Sequence, residues 1–173
     1  MLDLTGKWVL ITGASRGIGR LSAKFMAEQG CNLILHSRKK EGTEELVKEV
    51  QSMGVKAFSV SAELSDMAQV DAMLKAIYES GVHVDVVLNN AGLQIAYRTE
   101  YLATPMDDYD KSFLINTMAP MKICYHFLPK MIERGFGRIV NTTSGIALEA
   151  EQAFNGMTLE DAVAKAEGMK APY

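Results

Sequence analysis

Short apolar runs alternate with amphipathic stretches over residues 8–141 of this 173-residue chain. In the amphipathic stretches, apolar residues recur three and four positions apart, as on one face of a helix. The apolar runs are rich in Val, Ile and Leu and predict buried strands. Strands are predicted over residues 8–11, 32–36, 55–60, 84–88 and 138–141, with helices between them and a long helix from Thr104 towards Arg134. Pro120 and Pro129 are expected to bend or divide this long helix, because each removes a backbone donor.

This alternation sets the fold class. Five strands joined by helical crossovers predict an α/β fold with a doubly wound parallel sheet, right-handed crossovers and strand order 3-2-1-4-5. We expect a single domain over residues 1–173. Residues 149–173 contain no further β-rich run, and a capping pattern from Thr158 to Asp161 predicts a short helix that ends at Gly168.

Composition narrows the class of protein. A chain that is 48% hydrophobic and 23% charged is neither disordered nor fibrous, and a formal net charge of -3 gives no reason to expect a nucleic-acid partner. No apolar run approaches the roughly 20 residues that span a bilayer, and the N-terminus lacks a signal-peptide pattern, so we expect no membrane contact and a cytoplasmic location. Cys31 and Cys124 are expected to be buried reduced thiols rather than redox or metal ligands, and no metal site is expected.

The first apolar run breaks into a glycine-rich turn and continues as a helical pattern. Gly13 would permit the tight exit from the strand, Gly17 would let the backbone approach a pyrophosphate, and Gly19 would let the helix lie close to the sheet. The helix N-terminus would then direct free N–H groups at the phosphates. A glycine-rich surface turn is the alternative, and the strand-then-helix setting favours a dinucleotide loop.

The spacing T-G-x-x-x-G-x-G over residues 12–19 resembles the short-chain dehydrogenase/reductase family. The family's second signature, Asn-Asn-Ala-Gly, stands intact at residues 89–92, although Asn-Asn alone would more often be a plain turn. The resemblance spans residues 4–147 and implies a Rossmann fold that binds a nicotinamide dinucleotide. The residues it implies at the cofactor from these two motifs are Gly13, Ser15, Arg16, Gly17, Ile18, Gly19, Asn90, Ala91 and Gly92.

The turn after the second strand bears on which cofactor is bound. An acid at this place would bond the ribose hydroxyls and repel a 2′-phosphate, but the sequence from His36 to Lys40 contains none. We expect NADP(H), with Ser37 and Arg38 holding the extra phosphate and Arg16 assisting; a solvated basic turn is the alternative. Glu63, where the family usually has Asp, and Leu64 are expected to border the adenine.

The resemblance also implies the catalytic residues. Asn116 falls where the family has an asparagine of the proton relay, and Ser144 where a serine orients the substrate carbonyl; as a bare serine after a strand, Ser144 would more often be a cap. The family's acid/base belongs to Tyr-x-x-x-Lys, which this sequence lacks. We expect the chain to stop on that tyrosine, Tyr173, so that the C-terminal part of the family fold is absent; chance placement is the alternative. Residues 149–173 would be an insertion or mobile tail near the substrate cleft.

The leading hypothesis is an NADP(H)-dependent oxidoreductase that interconverts a small-molecule carbonyl and an alcohol. Ser144 would position the oxygen, Tyr173 would exchange the proton and Asn116 would hold the relay. A noncatalytic dinucleotide-binding module and an inactive truncated product are the alternatives, because the lysine is missing. We also expect a homo-oligomer.

Overall fold

A computed structural model gives the structure of residues 3–96 and 98–143, without the side chain of Tyr101. Strands and helices alternate along it, as the sequence pattern predicts. The strands are β1 (Trp8–Ile11), β2 (Asn32–Ser37), β3 (Ala57–Ser61), β4 (Val84–Asn89) and β5 (Arg138–Asn141). The helices are α1 (Gly17–Glu28), α2 (Glu41–Ser52), α3 (Met67–Glu79), α4 (Met106–Phe113) and α5 (Ala119–Glu133).

The five strands form one parallel sheet in the order β3-β2-β1-β4-β5, which confirms the predicted fold class. The chain starts in the middle of the sheet, moves outward to β3, and then crosses to β4 on the other side of β1. The carboxyl ends of β1 and β4 are therefore adjacent at the point where the strand order reverses. In a doubly wound sheet, that point is where ligands bind.

Alternate residues of the central strands enter two separate apolar cores, one on each face of the sheet. Val9 and Ile11 of β1 pack with the buried residues of α1 and α2. Leu10 packs with the buried residues of α3 and α5. Strands that are buried on both faces read as continuous apolar runs, which explains why the sequence shows them so clearly.

Helix α1 buries a face of small residues against the sheet. The large apolar residues of its helical pattern point outward: Ile18, Leu21 and Phe25 are 65%, 67% and 59% exposed. The buried residues are small, namely Gly19, Ala23 and Ala27. A helix that approaches the sheet this closely leaves no room for larger side chains on its inner face.

The predicted long helix is divided, and its start differs from the prediction. Thr104 does not cap it; Pro105 occupies the cap position and makes no side-chain bond, so the helix begins at Met106. A wider π-helical turn over Leu114–Met118 separates α4 from α5. Pro120 lies in the first turn of α5, where a missing N–H costs little, and Pro129 is accommodated inside α5.

The two cysteines are free thiols, as predicted, but only one is buried. Cys31 is buried, its Sγ lies 3.5 Å from the oxygen of Leu4, and burial raises its pKa. Cys124 is half-buried. Over residues 3–96 and 98–143, no group of three or more His, Cys, Asp or Glu side chains could hold a metal ion, and no helix is long and apolar enough to cross a membrane.

Candidate dinucleotide site

The carboxyl ends of the first four strands open on a cleft of about 960 Å³. It brings together residues that lie far apart in sequence, from the glycine loop, the turn after β2, the turn after β3 and the segment after β4. Every predicted cofactor-binding residue except Gly19 lines it. The lining residues are Gly13, Ser15, Arg16, Gly17, Ile18, His36, Ser37, Arg38, Glu63, Leu64, Ser65, Asn90, Ala91, Gly92, Leu93, Lys111 and Ile115.

A second cavity, of about 550 Å³, lies at the other edge of the sheet, where the amino ends of the strands are, and is lined by residues such as Lys7, Trp8 and His83. It contains none of the predicted site residues. The first cavity is the candidate site, because glycines with positive φ, a helix N-terminus and basic side chains meet there.

Each glycine of the loop has a separate steric role. Gly13 has a φ of +68°, and a Cβ there would lie 2.9 Å from the Cα of Ala91. Gly17 has a φ of +55° with open space where a side chain would lie. Gly19 lies beneath the loop, and its Cβ would lie 2.3 Å from the oxygen of Gly13. The loop therefore exposes backbone at Gly17 because Gly13 and Gly19 keep the helix close to the strand ends.

The N-terminus of α1 is open to an anion. Arg16 occupies the cap position with extended backbone, and its side chain makes no capping bond. No acidic residue lies in the first turn. The first-turn N–H groups and the positive end of the helix dipole thus face the cleft without a side-chain cap, as a phosphate site requires.

Thr12 and Asn90 join the ends of β1 and β4. The Thr12 hydroxyl oxygen accepts the N–H groups of Asn90 and Ala91, each at 3.0 Å, and its own proton points to the oxygen of Leu88 at 3.4 Å. The side-chain amide of Asn90 donates back to the oxygen of Thr12 at 3.0 Å. The Asn-Asn-Ala-Gly segment is thereby fixed against the glycine loop.

His36 joins the glycine loop to the ends of β2 and β3. The N–H of Gly13 donates to its Nδ1 at 3.2 Å, and its Nε2 lies 3.0 Å from the oxygen of Ala62. Because Gly13 offers a donor and Ala62 an acceptor, the imidazole is neutral with its proton on Nε2. Burial lowers its pKa, partly offset by the bond to Ala62 and by Glu63. We name this group, Thr12, Gly13, His36, Ala62 and Asn90, the glycine-loop corner.

Two basic residues of the cleft lie in its loops, Arg38 in the turn after β2 and Arg16 in the glycine loop. Arg16 and Arg38 are exposed and free to reach a phosphate. Ser37 is 5% exposed, and its hydroxyl donates to the oxygen of Lys39 at 2.6 Å. Its oxygen remains available as an acceptor, so a bond donated to a phosphate would have to replace the bond to Lys39.

The turn after β3 forms another wall of the cleft. Leu64 is buried, and Glu63 is half-buried. The Glu63 carboxylate accepts the N–H of Ser65 at 3.3 Å, while its own N–H donates to the side chain of Gln69 at 2.9 Å. The apolar wall and the adjacent acid that the sequence predicts therefore lie in one rigid turn.

Asn116 lies in the π-helical turn and clamps the segment after β4. Its Oδ1 accepts the N–H of Leu93 and its Nδ2 donates to the oxygen of Leu93, both at 2.8 Å. Its Nδ2 also donates to the hydroxyl of Ser112 at 3.1 Å. Both ends of the amide are therefore committed to structure. Ser144 and Tyr173, the other predicted catalytic residues, lie outside the described residues, as does the tail over residues 149–173.

The ends of β4 and β5 form a second polar group, Asn89, Cys124, Asn141 and Thr142, which we name the β5 corner. The Asn89 amide donates to the side-chain oxygen of Asn141 at 2.9 Å, and the N–H of Thr142 donates to the main-chain oxygen of Asn89 at 2.9 Å. Asn89 is buried, and its Oδ1 has no hydrogen-bond partner among the described residues.

Sequence reasoning assigned no role to Thr12, His36 or Lys111. A signal existed for His36, because a polar residue at the end of an otherwise apolar buried strand must be hydrogen-bonded. Thr12 belongs to the loop motif, but its bonds depend on which strand end lies beside β1. Lys111 lines the cleft from α4, and no feature of the sequence relates it to the glycine loop.

Comparison with known proteins agrees with this geometry. The family model described as short chain dehydrogenase matches residues 7–156. The chain belongs to this family. The ketoacyl reductase HetN of Nostoc sp. is 33% identical over 157 residues, which are 91% of this chain and 54% of that protein. The chain thus spans about half the length of the curated relatives it matches.

Solved structures of the family share the fold and include complexes with either dinucleotide. A metagenomic short-chain oxidoreductase in complex with NADP matches with a TM-score of 0.75 and 28% identity, over 81% of this chain and 62% of that one. An NAD+-bound xylitol dehydrogenase matches with a TM-score of 0.77 and 27% identity, over 96% of this chain and 62% of that one. The choice between the two cofactors therefore depends on local residues.

Proposed function

We propose that this chain carries the dinucleotide-binding part of an NADP(H)-dependent oxidoreductase that interconverts a carbonyl and an alcohol. The observation that supports this function best is the cleft itself. Its lining combines an uncapped helix N-terminus, an open glycine at Gly17 and two exposed arginines, Arg16 and Arg38.

The described residues fit a phosphorylated dinucleotide. Backbone N–H groups from Ser15 to Gly19 would hold the pyrophosphate, Leu64 and Glu63 would border the adenine, and the segment Asn90–Gly92 would pass beside the nicotinamide ribose. When bound, the nicotinamide supplies or accepts a hydride. The protein would contribute orientation and the exclusion of water.

Selection of NADP(H) over NAD(H) would come from Arg38 and Arg16, with the Ser37 hydroxyl donating to the 2′-phosphate in place of its bond to Lys39. Arg38→Leu should weaken NADPH binding about 30-fold, the equivalent of roughly 2 kcal/mol for a charged hydrogen bond, and leave NADH binding unchanged. Lys40→Leu, a neutralised cation two residues away, is the matched control and should change neither. Equal losses for NADPH and NADH in Arg38→Leu would contradict the assignment.

For the reaction we propose that Tyr173 exchanges a proton with the substrate oxygen while Ser144 donates a hydrogen bond to it. Asn116 would keep the segment from Gly92 to Leu93 in position, since its amide clamps Leu93. Tyr173→Phe should bind NADPH like the wild-type chain and lose at least roughly 100-fold in carbonyl-dependent NADPH oxidation, because a general acid contributes that much.

A noncatalytic dinucleotide-binding module is the second candidate. This function predicts tight NADPH binding without oxidation of NADPH by any tested aldehyde or ketone. Turnover that Tyr173→Phe abolishes would exclude it.

We further propose that a second copy of the chain packs against α5. Four apolar residues form an exposed stripe along this helix: Met121, Tyr125, Leu128 and Ile132. The neighbouring charges are already paired, Lys130 with Glu133 at 2.7 Å and Lys122 with Asp71 at 2.9 Å. A self-complementary apolar surface suits a symmetric dimer. Tyr125→Glu should shift the mass measured by light scattering to that of the monomer, whereas Phe25→Glu, at an exposed aromatic residue of α1 on the other face of the sheet, should not.

A cytoplasmic location is also proposed, because Cys31 and Cys124 are free thiols, which suits a reducing compartment. Fractionation of cells that express the tagged chain would test it, and recovery from an extracellular or membrane fraction would contradict it.

A further inference from the structure

One side chain, His36, connects the parts of the cleft that would hold opposite ends of the adenosine diphosphate. Its imidazole accepts the N–H of Gly13, and its main-chain oxygen accepts the N–H of Ala14 at 2.8 Å. The other ring nitrogen holds the oxygen of Ala62, directly before Glu63. Two successive amides of the glycine loop and the turn after β3 therefore depend on this one residue, which is 2% exposed.

We propose that His36 is a positioning residue for the dinucleotide: its neutral Nε2–H tautomer fixes the glycine loop relative to the adenine border, and its protonation weakens dinucleotide binding. This inference rests on the function proposed above. An imidazolium carries a proton on both nitrogens, so Nδ1 would turn an N–H towards the N–H of Gly13 and the bond would be lost. The glycine loop would then lose the bond that Gly13 donates to His36 and keep the bond that Ala14 donates to it.

Charged groups act on His36 from the segments around it. Glu63, after β3, favours the imidazolium. The cations of the neighbouring segments, Arg16 in the glycine loop and Arg38, Lys39 and Lys40 after β2, are exposed, so solvent screens their charges. Burial is the largest effect, so the pKa of His36 lies below its ordinary value of 6.5. The ring is therefore neutral at pH 7.5, and its hold on Gly13 is lost only as the pH falls below about 6.5.

Two substitutions separate the two side-chain bonds. In His36→Asn, the amide oxygen can take the place of Nδ1 and accept the N–H of Gly13. In His36→Gln, the amide nitrogen can take the place of Nε2 and donate to Ala62, but the bond to Gly13 is lost. At pH 7.5, we expect NADPH affinity to fall roughly 10-fold in His36→Gln, which loses the bond to the glycine loop, and roughly 3-fold in His36→Asn, which loses only the bond to Ala62. The control His83→Asn, at an exposed histidine on the other edge of the sheet, should bind like the wild type.

The pH profile provides a readout that a merely structural role would not move. The 2′-phosphate of NADPH also titrates, at about pH 6. The NADPH affinity of the wild type at each pH is therefore divided by that of His36→Asn, which keeps the titration of the phosphate but lacks that of His36. As the pH falls through the midpoint of the His36 titration, which nitrogen-15 NMR of the imidazole should locate below pH 6.5, we expect wild-type affinity to fall at least roughly 3-fold more than that of His36→Asn. Nitrogen-15 NMR of the wild-type imidazole supplies a test that needs no variant, and should find Nε2 protonated and Nδ1 bare at pH 7.5.

The possible results distinguish a failure of the inference about His36 from a failure of the proposed function. Equal NADPH affinity in the wild type and His36→Gln, parallel pH profiles, or a proton on Nδ1 at pH 7.5 would each overturn the inference about His36 and leave the proposed function intact. A wild-type chain that binds no NADPH at any pH would overturn the proposed function and the inference that rests on it.

Discussion

The glycine-loop corner and the β5 corner lie at the same edge of one sheet but differ in how their polar groups are satisfied. At the glycine-loop corner, the side chains of Thr12, His36 and Asn90 all find partners within the described residues. At the β5 corner, Oδ1 of buried Asn89 finds none there, and Val140 is 50% exposed. A fully satisfied buried network is rigid, whereas a partly satisfied one leaves positions for further groups.

The difference between the two corners predicts that cofactor binding and catalytic turnover depend on different residues. The described residues complete the walls of the cleft around the glycine loop, so dinucleotide binding should depend on that corner. The predicted catalytic residues Ser144 and Tyr173 follow β5 in the chain. We therefore expect substitutions at the glycine-loop corner to change cofactor affinity, and substitutions at the β5 corner to leave it almost unchanged.

The largest effect is expected from Gly19→Ala. A Cβ at this position would lie 2.3 Å from the oxygen of Gly13 and 2.6 Å from Nδ2 of Asn90, and neither atom can move without displacing the loop. The free energy of unfolding should fall by about 3 kcal/mol, the upper range for overpacking, and NADPH binding should be lost. Urea denaturation and titration measure both. An unchanged denaturation midpoint would show that the helix does not lie this close to the loop.

Gly17→Val should act on binding more than on folding. A branched residue at a φ of +55° is strained, and its side chain would occupy the open space above the loop. We expect NADPH affinity to fall by more than roughly 30-fold, because the pyrophosphate is displaced. Gly81→Val is the matched control: its φ is +74°, it also faces open space, and it lies away from the cleft. Similar stability losses in the two variants, with normal NADPH binding in both, would refute the loop assignment.

Thr12→Val tests the polar bonds of the glycine-loop corner at nearly constant shape. It leaves the N–H groups of Asn90 and Ala91 without their acceptor, which should cost about 2 kcal/mol of unfolding free energy. Thr12→Ser should restore most of it. If Thr12→Val and Thr12→Ser were equally stable, the hydroxyl would not be the link between β1 and β4.

The smallest effect is expected at the β5 corner. Asn89→Ala removes the bond to Asn141, whose exposed side chain can bond to water instead, and a weak contact of 3.5 Å with the Sγ of Cys124. It also removes a buried oxygen that lacks a partner among the described residues. The unfolding free energy should fall by about 1 kcal/mol or less, and NADPH affinity should not change. A loss as large as that of Thr12→Val would mean that the two corners are equally well satisfied.

The sequence was sufficient for the fold because parallel strands buried on both faces are continuous apolar runs. The apolar run from Leu33 to Leu35 predicts β2, which is buried on both faces, and the glycine spacing after Ile11 predicts the turn into α1. Packing against distant residues was not predictable. The outward direction of Phe25 follows from the close approach of α1 to the sheet, and the bonds of His36 depend on which strand ends are neighbours. Threonine is typical of helix N-caps, but Thr104 does not cap α4, because that helix begins after Pro105.

Hydrogen exchange of the wild-type chain with and without NADPH tests the central claim most directly. The account predicts slower exchange in four segments, residues 13–19, 36–38, 63–65 and 90–93, because these line the cleft. It predicts no change around Lys7 and His83 at the other edge of the sheet, and none in β5. Protection at that other edge, or no protection anywhere at saturating NADPH, would contradict the claim that the glycine-loop corner binds the dinucleotide.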